Sequence, residues 1–211
     1  MNSLPPTERR QLELQGWLLL PGVLPAKELA AMHAAWEQLA ATLPNEGANT
    51  NWGPDLTSDP AFAICRTHPR VIDALGLLLD DDIHVRWLHG RSPPRGHGRQ
   101  GLHVDWSKPT PAERQILANA FWVLDDMDRD NGATRIVPGS HRWARMPRGP
   151  YAQPQGHHPE ERVLEARAGD VLVFSSHLWH AGACNESGRR RRVVLAQFCR
   201  RELASMNEEY R

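Results

Sequence analysis

His103 and Asp105 are residues of the types that bind a metal ion, and their spacing would let them bind one together. Residues two apart on a strand point to the same face, so one imidazole and one carboxylate could reach a single ion. We assign the third ligand to His180, which follows the apolar segment 169–174; His177 is the alternative. Two histidines and one carboxylate are the ligand set of non-haem Fe(II) oxygenases, because they leave coordination positions open.

The open positions would allow a keto acid to chelate the metal and dioxygen to bind beside it. The far carboxylate of a dicarboxylic keto acid would be costly to bury without a cation, and the planar fork of arginine suits it. Four arginines occupy positions 189–192, before an apolar strand. Alternation separates Arg191 from Arg190 and Arg192, but it does not say which face is inward. A solvated basic run at a strand edge is the simpler explanation for some of them.

The composition favours a single domain that does not bind a strongly charged partner such as nucleic acid. The chain has 211 residues, with 25 lysines and arginines against 25 aspartates and glutamates. This length suffices to bury a core, and the balanced charge argues against nucleic acid or a membrane surface as partner. Neither the amino terminus nor any later segment resembles a signal peptide or a membrane span, so we expect a cytoplasmic monomer. The three cysteines show no CxxC pairing, which argues against disulfides and against zinc.

The hydrophobic pattern predicts helices first and strands afterwards. A short helix ends at Gly16, an apolar strand follows it up to a turn at residues 21–22, and further helices span 25–43 and 69–79, with a loop at 45–59 between them. Short apolar strands then dominate. They are predicted at 83–88, 102–106, 120–124, 134–137, 163–165, 170–175 and 193–198.

This order of elements predicts a mainly β fold with flanking helices, namely a cupin-like jelly roll, or double-stranded β-helix. We expect residues 1–211 to form a single domain. In that domain, helices within about residues 1–80 would pack on a jelly-roll core of about residues 83–200.

In the order and spacing of its motifs, the chain resembles the phytanoyl-CoA dioxygenase family of Fe(II)/2-oxoglutarate oxygenases along most of its length. The motifs are the Gly-Trp-Leu-Leu-Leu-Pro-Gly-Val stretch at 16–23, His-Val-Asp at 103–105, Trp-Val-Leu-Asp-Asp at 122–126, Asn-Gly at 131–132, Pro-Gly-Ser-His at 138–141, Gly-Asp at 169–170, and His180 followed by Asn185, Ser187 and an arginine.

The resemblance implies roles for two of the residues that local patterns leave open. In the family, the arginine that binds the keto acid stands eleven positions after the distal histidine, which is Arg191 here and leaves Arg192 as second choice. The family spacing from the Gly-Asp motif also supports His180 over His177 as the third ligand.

The resemblance further implies that Trp122 lines the co-substrate pocket. Family members often have a serine two positions after the distal histidine, where this chain has Gly182. The hydroxyl contact of that serine is therefore either absent here or supplied by another residue, for which Thr134 is our candidate. Trp106, next to a metal ligand, and Arg91 are candidate substrate contacts, although a solvated loop position is the plainer interpretation of Arg91.

The function implied by the resemblance is oxidation of a small molecule, for instance in specialised metabolism. The enzyme would use Fe(II), 2-oxoglutarate and O2 to hydroxylate an unactivated C–H bond, releasing succinate and CO2. Halogenation is disfavoured because the carboxylate of Asp105 is retained. The alternatives are a non-oxidative metal-dependent cupin-type isomerase or hydrolase, and a barrel that only binds. A buried arginine at the co-substrate position would discriminate, since only the oxygenase needs one.

Overall fold

The computed structural model describes residues 4–41, 55–106, 108, 111 and 114–206. Most of the predicted loop at 45–59 and the end of the helix predicted at 25–43 therefore lie outside the described residues. The α-helices of the described part are α1 (Pro6–Gln15), α2 (Ala26–Ala40), α3 (Pro69–Leu79) and α4 (Arg201–Met206). Its strands are β1 (Trp17–Leu20), β2 (His84–Arg91), β3 (Leu117–Val123), β4 (Thr134–Ile136), β5 (Arg162–Leu164), β6 (Val171–Ser175), β7 (His180–Gly182) and β8 (Val193–Cys199).

The strands form two antiparallel sheets. The larger sheet has the order β1-β6-β3-β8-β2, and the smaller has the order β5-β4-β7. Apolar side chains of the two sheets meet in one cluster, where Ile136 and Leu164 of the smaller sheet pack with Leu172 and Phe174 of the larger. A mainly β sandwich of this kind, flanked by helices, is the predicted jelly-roll architecture.

The helices cover the outer face of the larger sheet. α3 begins with Pro69 and buries Val71, Leu75 and Leu79, which are spaced one helical turn apart. α1 ends where Gly16 adopts a left-handed conformation, with φ of 77°, and its N–H donates to the carbonyl of Leu12. The apolar faces of α1, α2 and α3 share one core cluster with the sheet.

Alternation along the central strands separates the two faces of the larger sheet. The residues of β3 and β8 that join the helix-side core are Ala118, Ala120, Trp122, Val194, Ala196 and Phe198. Their neighbours Asn119, Phe121, Leu195 and Gln197 face a cavity between the sheets. The odd-numbered residues of β8 therefore face the cavity, a choice between two faces that periodicity left open.

One predicted strand is wrong. Residues 102–106 make backbone hydrogen bonds to three separate partners instead of one ladder: the N–H of Leu102 donates to Tyr151, that of His103 to His180, and that of Asp105 to Ser176. Only His103 forms a bridge, with His180. The sequence pattern also missed β7, α4 and the 3₁₀ helix Pro60–Arg66. Among the described residues, no helix combines the length and the apolar character needed to cross a lipid bilayer.

The packing of α3 on the larger sheet can be tested with two matched leucines. Leu75 has no exposed surface, whereas Leu14 of α1 is 42% exposed. Leu75→Ala is expected to lower the free energy of unfolding by about 2–5 kcal/mol, because it leaves a cavity in the core. Leu14→Ala should change it by less than about 0.5 kcal/mol. Urea denaturation measures both, and equal effects would contradict the described packing.

Candidate metal centre

The structure brings His103, Asp105 and His180 together at one end of the cavity. The backbones of His103 and His180 are joined by two hydrogen bonds, with N···O distances of 2.9 and 3.0 Å. The Nε2 atoms of His103 and His180 lie 3.8 and 3.5 Å from Oδ1 of Asp105. One donor atom from each residue lies within 4.8 Å of the other two, so the three could bind one metal ion.

Backbone carbonyls set the tautomers of the two histidines. Nδ1 of His103 lies 3.0 Å from the carbonyl oxygen of Gly101, and Nδ1 of His180 lies 2.8 Å from that of Leu178. A carbonyl can only accept, so each Nδ1 carries a proton, and in the neutral form of each imidazole Nε2 keeps its lone pair. Both lone pairs therefore belong to the atoms that approach Asp105, as metal binding requires.

A hydrogen bond from Asn119 orients the carboxylate of Asp105. Nδ2 of Asn119 donates to Oδ2 of Asp105 at 2.6 Å, which leaves Oδ1 facing the two imidazoles. Gln197 donates to Oδ1 of Asn119, and Arg86 donates to the side-chain oxygen of Gln197. This chain of hydrogen bonds crosses β2, β8 and β3. One carboxylate oxygen of Asp105 is therefore held by a hydrogen bond within the protein, and the other is left to bind a metal ion.

The electrostatics of the cluster suit a cation. Burial and the nearby charge of His180 lower the pKa of His103 to about 4, so His103 is neutral at pH 7. Burial alone would raise the pKa of Asp105, but the charge of His180 and the hydrogen bond from Asn119 hold it below its usual value. Burial would lower the pKa of His180, yet the charge of Asp105 raises it. The donor set of two nitrogens and one carboxylate thus fits a divalent metal ion.

Arg191 lines the same cavity, which has a volume of about 200 Å³. Its side chain is buried, with 6% of the residue exposed, and both Nε and Nη2 donate to the carbonyl of Gly132. Burial, and then the charge of Arg91, lower the pKa of Arg191 to about 10, so it is charged at pH 7. Arg192 points away from the cavity and forms ion pairs with Asp125 and Glu37.

Thr134 and Gly182 are paired across β4 and β7, and both line the cavity. A Cβ atom on Gly182 would collide with the carbonyl oxygen of Gly98, and it would lie 3.2 Å from Oε1 of Gln100. There is consequently no room here for the serine that the resemblance suggests. The side chain of Thr134 lies on the neighbouring strand, where a hydroxyl can be accommodated.

The expected position of Trp122 in the co-substrate pocket is not what the structure shows. Trp122 is fully buried on the helix side of β3, and its ring lies 6.1 Å from that of His68. Phe121 and Asn119, on the opposite face of the strand, line the cavity instead. The prediction for Trp122 was wrong because adjacent residues of a strand point to opposite faces, and on β3 it is Phe121 that faces the cavity.

Trp106, a candidate substrate contact, does not line the cavity either. It packs against an apolar cluster that includes Ile116 and Leu117, while Trp87 lines the cavity. Arg91, the other candidate, does line it.

His177, the alternative to His180 as third ligand, is turned away from the cluster, and its Nε2 accepts a hydrogen bond from the N–H of Ile116. The sequence analysis did not assign Asn119 or Trp87 to the site. For Asn119, its polar side chain within an otherwise apolar strand could have indicated a role there.

Comparison with known proteins identifies a family for most of the chain. The sequence model described as phytanoyl-CoA dioxygenase (PhyH) matches residues 12–193. A curated relative from Aspergillus fumigatus, named dioxygenase af480, is 28% identical over 203 residues. That alignment covers 89% of this chain but 64% of the relative, so the chain spans less than two thirds of the relative's length.

Solved structures with similar folds confirm the predicted jelly roll. HygX from Streptomyces hygroscopicus, crystallised with nickel, 2-oxoglutarate and hygromycin B, has a TM-score of 0.78 at 18% identity. The match covers 94% of this chain and 88% of HygX. The epimerase SnoN in complex with Fe3+, alpha ketoglutarate and nogalamycin RO has a TM-score of 0.70 at 20% identity, covering 92% of this chain and 82% of SnoN.

The hydrogen bond from Asn119 gives a testable effect on metal binding. Asn119→Ala is expected to weaken the binding of Co(II) to the metal-free protein by about 10–100-fold, because Asp105 loses the group that orients it. Calorimetric titration with Co(II) measures the change, and a thermal melt checks the fold. Gln197→Ala, one hydrogen bond further away, should have a smaller effect. An unchanged Kd in the Asn119 variant would contradict the positioning role.

Proposed function

The chain belongs to the phytanoyl-CoA dioxygenase family, and on that basis we propose that it is an Fe(II)- and 2-oxoglutarate-dependent oxygenase acting on a small molecule. The observation that carries the proposal is that a cluster of two histidines and one carboxylate shares a cavity with a buried, charged arginine. The relative named dioxygenase af480 and the 2-oxoglutarate or alpha ketoglutarate bound in the HygX and SnoN crystals support this reaction class.

In this proposal His103, Asp105 and His180 hold Fe(II) through Nε2, Oδ1 and Nε2. Arg191 pairs with the far carboxylate of 2-oxoglutarate, since its guanidinium is charged and already fixed by the carbonyl of Gly132. Thr134 is the proposed hydroxyl contact of the same molecule. A guanidinium held in place before binding loses little further freedom when its partner arrives.

The bound iron, with O2 and 2-oxoglutarate, supplies the oxidising chemistry that hydroxylates a C–H bond and releases succinate and CO2. The residues of the chain bind and orient the reactants, and they exclude water from the cavity. Asn119 keeps Oδ1 of Asp105 directed at the ion, and Phe121 and Leu195 form apolar walls of the cavity. The outcome we propose is hydroxylation of a small molecule.

A non-oxidative cupin-type isomerase or hydrolase is the competing hypothesis. Such an enzyme would have no use for Arg191, and burying a guanidinium without an anionic partner is costly. The buried position of Arg191 in the cavity therefore favours the oxygenase. A barrel that only binds would have no need of three converging metal ligands. We also propose that residues 1–211 act as one domain, in a cytoplasmic monomer.

The reaction can be tested before the substrate is known. The protein, supplied anaerobically with Fe(II) and ascorbate, is expected to convert 2-oxoglutarate to succinate slowly once air is admitted. His103→Ala should abolish this turnover, because a metal ligand is lost. Arg191→Gln should raise the KM for 2-oxoglutarate by about tenfold or more, since a charge-assisted hydrogen bond is removed. Succinate is quantified by mass spectrometry.

Arg192→Gln is the matched control, because Arg192 precedes the same strand but forms its ion pairs outside the cavity. It should leave the KM for 2-oxoglutarate within about twofold of the wild type. The oxygenase assignment fails if the wild type makes no succinate and calorimetry detects no 2-oxoglutarate binding to the metal-loaded protein. The cupin hypothesis would then take precedence.

A further inference from the structure

Arg86 lies at an irregularity of the edge strand β2. Val85 before it pairs with Phe198 of β8, and Trp87 after it pairs with Gln197, so Arg86 is an extra residue in the ladder. A β-bulge of this kind re-aims a side chain. Nη1 of Arg86 donates to Oε1 of Gln197 at 2.7 Å, and Gln197 lines the cavity. The bulge therefore brings a guanidinium against a side chain of the cavity wall.

The direction of each amide between Arg86 and Asp105 follows from its neighbour. A guanidinium has donors and no acceptor, so Arg86 requires the side-chain oxygen of Gln197 to face it. The nitrogen of Gln197 is then left to face Asn119, and its Nε2 donates to Oδ1 of Asn119 at 3.3 Å. With its oxygen engaged in this way, Asn119 turns its amide nitrogen towards Asp105.

Both hydrogens of the Asn119 amide nitrogen are used at the metal centre. Nδ2 donates to Oδ2 of Asp105 at 2.6 Å and to Oγ of Ser176 at 3.0 Å. The carbonyl oxygen of Ser176 also accepts from the N–H of Asp105. Asn119 and Ser176 are buried, so solvent does not compete for these bonds. A reversed Asn119 amide would place its oxygen against the carboxylate and leave Oδ2 of Asp105 without this donor.

We propose that Arg86 and Gln197 are positioning residues of the metal centre, which act by fixing the direction of the Asn119 amide. The hydrogen bonds run from a group that can only donate to a carboxylate that can only accept, so one arrangement of the two amides satisfies them all. This arrangement keeps Oδ2 of Asp105 bonded to the protein and leaves Oδ1 for the metal ion. The inference rests on the proposed function, because it requires a metal ion at the cluster of two histidines and Asp105.

An isosteric change at Gln197 tests the direction of the amides. In Gln197→Glu a carboxylate oxygen meets Oδ1 of Asn119, so the Asn119 amide has to reverse or lose a partner. The binding of Co(II) to the metal-free protein is expected to weaken by about tenfold or more, and to be weaker than in Gln197→Ala. The added negative charge acts in the opposite direction, since it attracts the cation. Calorimetric titration measures the Kd.

Gln100→Glu is the matched control, because Gln100 also lines the cavity but takes no part in the hydrogen bonds between Arg86 and Asp105. Its Oε1 accepts from the N–H of Gly182 at 2.9 Å, and a carboxylate oxygen can accept in the same way. Gln100→Glu should therefore bind Co(II) as tightly as the wild type, or more tightly. Thermal melts of the metal-free variants establish that they are folded.

A double-mutant cycle with Asn119→Ala separates the positioning role of Arg86 from its charge. Arg86→Met removes a positive charge, which by itself would tighten the binding of a cation. It is expected instead to weaken Co(II) binding by about threefold or more in the wild-type background. In the Asn119→Ala background there is no amide to orient, so Arg86→Met should leave the binding unchanged or tighten it. Arg86→Lys, which keeps a donor, should bind Co(II) more tightly than Arg86→Met.

The proposal is wrong if Gln197→Glu binds Co(II) at least as tightly as Gln197→Ala. It is also wrong if Arg86→Met has the same effect with and without the Asn119 amide. Failure of the proposed function has a different signature, since the wild type would then bind Co(II) no more tightly than His103→Ala does.

Discussion

His103 and His180 are far apart in the sequence, yet their backbones exchange two hydrogen bonds, and the metal cluster depends on this exchange. The bridge adds the segment around His103 to the edge of the smaller sheet beside β7. It sets the separation of the two imidazoles, and a backbone hydrogen bond from the N–H of Asp105 to Ser176 holds the third ligand beside them. The other backbone hydrogen bonds of residues 102–106 go to single residues, from Leu102 to Tyr151 and from Asp105 to Ser176.

The larger sheet serves two functions through its two faces. One face of β3 and β8 is apolar and packs on the helices, and the other presents Asn119, Gln197 and Leu195 to the cavity. The helices therefore contribute to the site indirectly, by fixing the strands that carry the side chains. Just before β8, Arg192 forms ion pairs outside the cavity, while its neighbour Arg191 lines the cavity.

Local patterns in the sequence predicted α3 with its observed bounds, most of the strands, His103 and Asp105, and the family resemblance then favoured His180 over His177. They failed where a position depends on distant contacts. Residues 102–106 look like a strand, but their backbone partners come from three parts of the chain. Asn119 has no motif of its own, because its role arises from proximity to Asp105. The inward face of β8 could not be chosen, since both faces of that strand are largely apolar.

The hydrogen bond from Leu102 to Tyr151 ties the loop that contains Tyr151 to the backbone immediately before His103. At Gly101 the two backbones are so close that a Cβ atom would collide with the carbonyl of Ala152. The loop is therefore a structural part of the metal centre. A change in the path of this loop would therefore shift the backbone that carries His103.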